Sequence, residues 1–148
     1  MADPPQDSTY DTAPLHERMT MFVPHAAALG MELVSIGHGQ GVMRAAWREE
    51  LVGDPETDVI AGGVVTALID HTCGLAVNSA NETPMPIATL DLRIDYLRPA
   101  APRAGVTCEA FGYKVTRSIG FVRAQAWDDD PADPLATAQA TFMLNPRG

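Results

Sequence analysis

Asp70 is the residue around which the chemistry of this sequence gathers. It stands in the middle of residues 61–80, AGGVVTALIDHTCGLAVNSA, a stretch with almost no other polar interruption. A lone carboxylate inside a buried helix is costly unless something uses or satisfies it. The same stretch opens on a glycine pair, Gly62–Gly63. Its other reactive side chains do not build a metal or thiol site. His71 points about 100° away from Asp70 around a helix, and Asp70, His71 and Cys73 share no face, so tetrahedral ligation has no basis. Cys73 has no partner at i±3 or i±4 able to lower its pKa and reads as a small core residue. His16, His25 and His38 are scattered through tails and turns.

An Asp in such a stretch needs a scaffold. Eighteen residues of this pattern make a helix of about 27 Å, and one apolar on nearly every side is buried. Before it, strands are expected at 31–36 and 42–47, with residues 37–41 as their turn and 48–60 as a polar connection. After a Pro-rich loop at 82–86, residues 87–97 alternate cleanly. Ala88, Leu90, Leu92, Ile94 and Tyr96 face one way, and Thr89, Asp91, Arg93 and Asp95 the other. That reading places Thr89 away from the helix. Further strands are expected at 106–115, 119–128 and 135–144. The last two carry small apolar faces (Gly120, Val122, Ala124, Ala126; Ala136, Ala138, Ala140) that let a helix approach closely. The economical fold is α+β: one antiparallel sheet curved round one long helix. Residues 1–14 read as a disordered tail and 15–148 as a single domain, with weak helical character over 15–29 broken at Pro24.

The chain has 148 residues, 46% hydrophobic, and a net charge of −9, enough core for one domain and the wrong sign for nucleic acid or an anionic membrane. Two cysteines in a chain of this length suggest a reduced, intracellular protein. The acidic, Pro-rich start lacks the regions of a signal peptide. Asp70, His71 and Asn78 interrupt the central apolar run, which reads as core and not membrane span. A soluble, cytoplasmic protein is expected.

Two segments at this spacing, GGVVTALID at 62–70 and TLDLRIDYLRPA at 89–100, resemble the hotdog-fold acyl-CoA thioesterases of the phenylacetate-pathway (PaaI-like) type. The resemblance runs over roughly 29–144. It implies an antiparallel sheet of about six strands wrapped round the helix. It also implies homodimers whose sheets run on as one, commonly paired into homotetramers, and no metal or redox cofactor, CoA being part of the substrate. On matching positions it implies that the Gly62 N–H polarises the thioester carbonyl and that Asp70 acts as general base or nucleophile. It further implies that Thr89 helps to place the water. Gly63 belongs to the same substrate-binding turn.

Physics supports the first two roles independently. Helix N-terminal amides are unpaired donors at the positive end of the dipole, suited to an oxyanion. Asp70 is eight residues further on, about 12 Å along the axis, too far to reach the same carbon. If both act, they come from different subunits, with the helices antiparallel across a two-fold axis. The phosphates of a CoA ester need cations, and Arg117 beside Ser118 is preferred over Arg98 and Lys114. Tyr96, Phe111, Phe121 and Trp127 are candidates for an acyl pocket or for core.

The sequence also departs from the family pattern. Ala61 stands where the family usually has His, and Gly53-Asp54-Pro55-Glu56 where an Asn is common. These departures motivate a second reading, a non-catalytic acyl-CoA-binding or sensing protein. Gly53-Asp54-Pro55 faintly resembles the hydratase branch of the fold, but Val59 and Ile60 stand where its His is expected.

Overall fold

The computed structural model describes residues 22–146 together with Pro14 and Arg18. Of the expected tail over 1–14 only Pro14 is described, and of residues 15–21 only Arg18; His16 lies outside the described residues. A short helix, α1 (Pro24–Ala28), begins on Pro24, where a missing N–H costs nothing. β1 (Met31–Gly37) and β2 (Gln40–Ala45) form a hairpin closed by His38 and Gly39, tighter than the five-residue turn expected.

The segment read as a polar connection holds more structure than its composition suggests. It contains a 3₁₀ turn at Glu49–Leu51 and a small hairpin of β3 (Val52–Asp54) and β4 (Val59–Ile60). Strands of three and two residues are too short to show an alternation. The hairpin delivers the chain to α2 (Gly62–Ser79), the long helix, of 18 residues. Four strands follow: β5 (Ile87–Tyr96), β6 (Val106–Val115), β7 (Ile119–Trp127) and β8 (Ala136–Leu144).

The main sheet has six antiparallel strands in the order β1-β2-β6-β7-β8-β5, which leaves β1 and β5 at its edges. The helix lies against one face of it. Val106, Cys108 and Ala110 of β6, Val122, Ala124 and Ala126 of β7, and the alternate residues Ala136 to Leu144 of β8 are all buried beneath the helix. The small-residue faces expected from the sequence are the ones the helix covers. Asn78, a buried polar side chain, is satisfied by the loop after the helix: its Nδ2 donates to Met85 O at 2.9 Å and its Oδ1 accepts from Met85 N at 3.0 Å.

Gly120 sets the closeness of the approach. A Cβ added there would lie 2.6 Å from Val77 Cγ1, and Val77 is fully buried. Gly120→Ala is therefore expected to destabilise the fold by about 1–3 kcal/mol through overpacking. A lower denaturation midpoint at unchanged m-value checks this; an unshifted midpoint would show that the helix can move aside at no cost.

Candidate active site

The sheet and loops bury most of α2 but leave one side of its first half uncovered. Val64, Val65, Leu68 and Ile69 are buried, Gly62 and Gly63 are exposed, and Thr66, Ala67, Asp70 and His71 are half-buried. Gly62, Thr66 and Asp70 follow one another at four-residue spacing, so they form a single stripe on the helix surface.

At the far end of this stripe Thr89 Oγ1 donates to Asp70 Oδ1 at 2.9 Å. This corrects the alternation read from the sequence, which put Thr89 on the face away from the helix. β5 pairs with β8 as Leu92↔Ala140, Ile94↔Ala138 and Tyr96↔Ala136, but the register shifts between Thr89 and Asp91. Leu90 is the extra residue of a β-bulge, and side-chain parity inverts across it. Thr89 thus joins Leu92 and Ile94 on the helix side, while Leu90 is 51% exposed. No glycine or proline marks the bulge in the sequence, so period-two reasoning runs straight through it.

At the near end the helix opens without a cap. Ala61 is extended (φ −62°, ψ 140°) with no side-chain capping bond, and the Gly62 and Gly63 N–H groups have no acceptor among the described residues. A Cβ on either glycine would meet nothing within 4 Å. Close packing within the chain is therefore not the reason for the glycine pair. The two free donors stand at the positive end of the helix, where an anionic oxygen is stabilised.

Tyr96 reaches the same turn. Its hydroxyl donates to Gly62 O at 3.1 Å and also contacts Thr66 Oγ1, which itself lies 3.1 Å from Gly62 O. The sequence offered Tyr96 as a pocket wall or as core; nothing in its spacing signals a bond to the helix start. Beside it lies a cleft of about 430 Å³ lined by Gly62 and by Val59, Ile60, Val65, Leu97 and Pro99. The other aromatic candidates are elsewhere. Helix-facing positions of β6 and β7 carry Val106, Cys108, Ala110, Gly120 and Val122, so Phe111, Phe121 and Trp127 project from the outer face of the sheet.

Arg117 and Ser118 occupy the exposed β6–β7 turn, where Ser118 O accepts from Leu144 N at 2.8 Å. Strand pairing Thr89↔Phe142 and Gly120↔Phe142 places this turn at the sheet end where β5 begins, the end that carries Thr89. Arg98 is committed to structure. Its Nη1 and Nη2 donate to Asp128 Oδ2 and Oδ1 at 3.0 and 2.7 Å, and Nη2 donates to Asp133 O at 2.7 Å. The Asp128 side chain is 4% exposed, and the Arg98 bonds, aided by the Ala101 and Asp129 amides, hold its carboxyl well below the usual range although burial opposes this.

Breaking that pair leaves the guanidinium with only the exposed Asp133 carboxylate, 3.3 Å from its Nε, so Asp128→Asn is expected to cost about 1–3 kcal/mol at pH 7. A depressed native pKa contributes stability that is complete above the unfolded value, near 4, and fades as pH falls toward the native one. The gap between wild type and variant should therefore narrow from pH 7 to pH 3. Urea midpoints at the two pH values read it; a gap that stays constant would remove the ion pair as its cause.

Cys73 and Cys108 are both free and buried. Burial raises the Cys73 thiol well above its ordinary value and pushes Cys108 up to about 12, so neither supplies a thiolate nucleophile.

The sequence profile of the thioesterase superfamily matches residues 58–135, which span the helix, β5, β6 and β7. A relative from Halobacterium salinarum whose name proposes an esterase is 35% identical over 124 residues, covering 81% of this chain and 78% of its own. A solved Pseudomonas aeruginosa protein is 35% identical, with TM-score 0.79 over 88% of this chain and 98% of that one. A variant of the phenylacetic acid degradation protein PaaI from Thermus thermophilus is 25% identical, with TM-score 0.70 over 81% of this chain and 97% of its own. With its six-stranded antiparallel sheet on one long helix, the chain belongs to the thioesterase superfamily and has the hotdog fold.

Proposed function

We propose that the protein hydrolyses an acyl-CoA thioester to the free acid and CoA at a site built between two subunits. The carrying observation is the open stripe of α2, with free amides at Gly62 and Gly63 and a carboxylate held by Thr89 at Asp70. The two ends are about 12 Å apart in one chain. The unpaired edge strand β5 runs alongside, with Thr89 near Asp70 and Tyr96 near Gly62. A two-fold axis crossing β5 near Leu92 and Arg93 extends the sheet into a partner and brings each end of one stripe opposite the other end of its twin.

In this arrangement Asp70 of one subunit takes a proton from water as the water oxygen bonds to the thioester carbon. The Gly62 and Gly63 amides of the other subunit hold the developing oxyanion; the C–S bond then breaks, and the sulfur takes the proton held on Asp70, so that CoA leaves as the thiol and the carboxylate is restored. Thr89 occupies one Asp70 oxygen and leaves the other for the water. The apolar cleft beside Gly62, whose volume suits a small ligand, takes the acyl group. Arg117 and Ser118 face the CoA phosphates. No metal or redox cofactor enters these steps.

The outer sheet face, with Phe111 and Tyr113 exposed, is where we place the contact between dimers in a homotetramer. Two buried free cysteines fit the cytoplasm, and no helix among the described residues is long and apolar enough to cross a membrane. A panel of aliphatic and aromatic acyl-CoA esters, with thiol release followed by colour, tests the proposal. Release from at least one ester class is expected. Binding of the esters without release would instead support a non-catalytic acyl-CoA-binding protein.

A further inference from the structure

The hydroxyls of Tyr96 and Thr66 have no role in the hydrolysis outlined above, yet they converge on one atom of the proposed oxyanion site. We propose that this hydroxyl pair strengthens the Gly63 N–H as an anion donor by hydrogen bonding to the carbonyl of the same peptide group. The inference rests on the reading that the helix start binds the thioester oxygen.

A count of protons defines the role. The two hydroxyls make three contacts: each with Gly62 O at 3.1 Å, and one with the other. They carry two protons. One lies between the hydroxyls, and the other is donated to Gly62 O, whichever residue supplies it. Neither hydroxyl then has a proton for substrate, so the pair positions and polarises rather than touching the reacting atoms.

Gly62 C=O and Gly63 N–H belong to one peptide unit. Donation to the oxygen draws electron density from the nitrogen and makes its N–H a stronger donor, a cooperative gain of about 10–30% per bond. The bond also has a mechanical effect. Two successive glycines without a cap are the least constrained way to begin a helix. Tyr96 lies on the edge strand β5, so its bond ties that turn to the sheet and fixes the direction of the amides.

The test uses Tyr96→Phe and the double change with Thr66→Val. The first keeps the ring in the cleft and removes one hydroxyl; the double change removes both. We expect kcat to fall about three- to tenfold in Tyr96→Phe with KM within about twofold, well short of the loss from deleting an oxyanion donor outright. A second readout is the infrared carbonyl band of octanoyl-CoA and phenylacetyl-CoA, each ¹³C-labelled at the carbonyl, bound to Asp70→Asn protein. That band should lie below its solution frequency and move part of the way back when Tyr96→Phe is added, and further with both hydroxyls gone. A purely structural role would lower the melting temperature without moving the band of the bound ester.

Unchanged kcat and an unmoved band in the double change overturn this inference while leaving the hydrolase reading intact, provided Asp70→Asn is inactive. Binding of both labelled esters to the wild-type protein with no release of CoA overturns the hydrolase reading, and the band shift, read on the wild-type background, then still decides the role of Tyr96. Failure of every ester of the panel to bind overturns both.

Discussion

Asp70→Asn is expected to lower kcat for thioester hydrolysis by about 10²–10⁴-fold, the usual contribution of a positioned general base, with the Michaelis constant little changed. The substitution keeps the shape of the side chain and an acceptor for Thr89 Oγ1, so the bulged start of β5 has no cause to rearrange. Only the capacity to take a proton, or to attack, is lost. Steady-state kinetics on the best ester of the panel gives the answer, and full activity in the variant would remove Asp70 from the mechanism. Single turnover in ¹⁸O-labelled water separates the two roles. An attacking carboxylate forms an anhydride, and water that opens it at the Asp70 carbonyl leaves the label in the protein, whereas a base delivers the label only to the acid product.

Gly62→Pro is expected to cost about 10²–10³-fold in kcat, the loss typical of one oxyanion donor, while leaving the unfolding midpoint unchanged. Three features of the structure make proline tolerable there. Gly62 is the first helical residue, where proline is favoured. Ala61 already has the extended conformation that a following proline requires. A Cβ at Gly62 meets nothing within 4 Å. The change therefore deletes an N–H and little else. Mixing the two inactive variants gives a sharper test of the shared site. In a heterodimer one site carries both lesions and the other carries none, so each heterodimer should recover about half the wild-type activity, and chains co-expressed in equal amounts, about half of whose dimers are mixed, about a quarter. Recovery of none would mean that each site draws on a single chain.

How much of this could be read from residues alone varied with the length of the element. The central helix was legible because eighteen residues of apolar pattern with a glycine pair in front admit no other packing. The faces of β7 and β8 were legible because their small residues alternate without a break. The β3–β4 hairpin was not, since its strands are too short to carry a period. Thr89 was misread because the bulge at Leu90 changes the backbone without changing the composition. The hydroxyl cluster at Gly62 was invisible because it joins residues 62, 66 and 96 across two elements. Asp70, Gly62 and Gly63 stand out as candidates in the sequence; the bonds to Thr89 and Tyr96 do not.

The extra residue in β5 has a bearing on how relatives are compared. Were Leu90 removed, Thr89 would precede Asp91 directly, and an unbroken ladder would still turn its hydroxyl toward the carboxylate. Two homologues can therefore present the same hydroxyl to the same acid while differing by one in the number of residues between it and the Arg98-Pro99-Ala100 corner. Counting back from that corner without allowing for the difference would pair this threonine with an outward-facing neighbour and make a shared feature look lost.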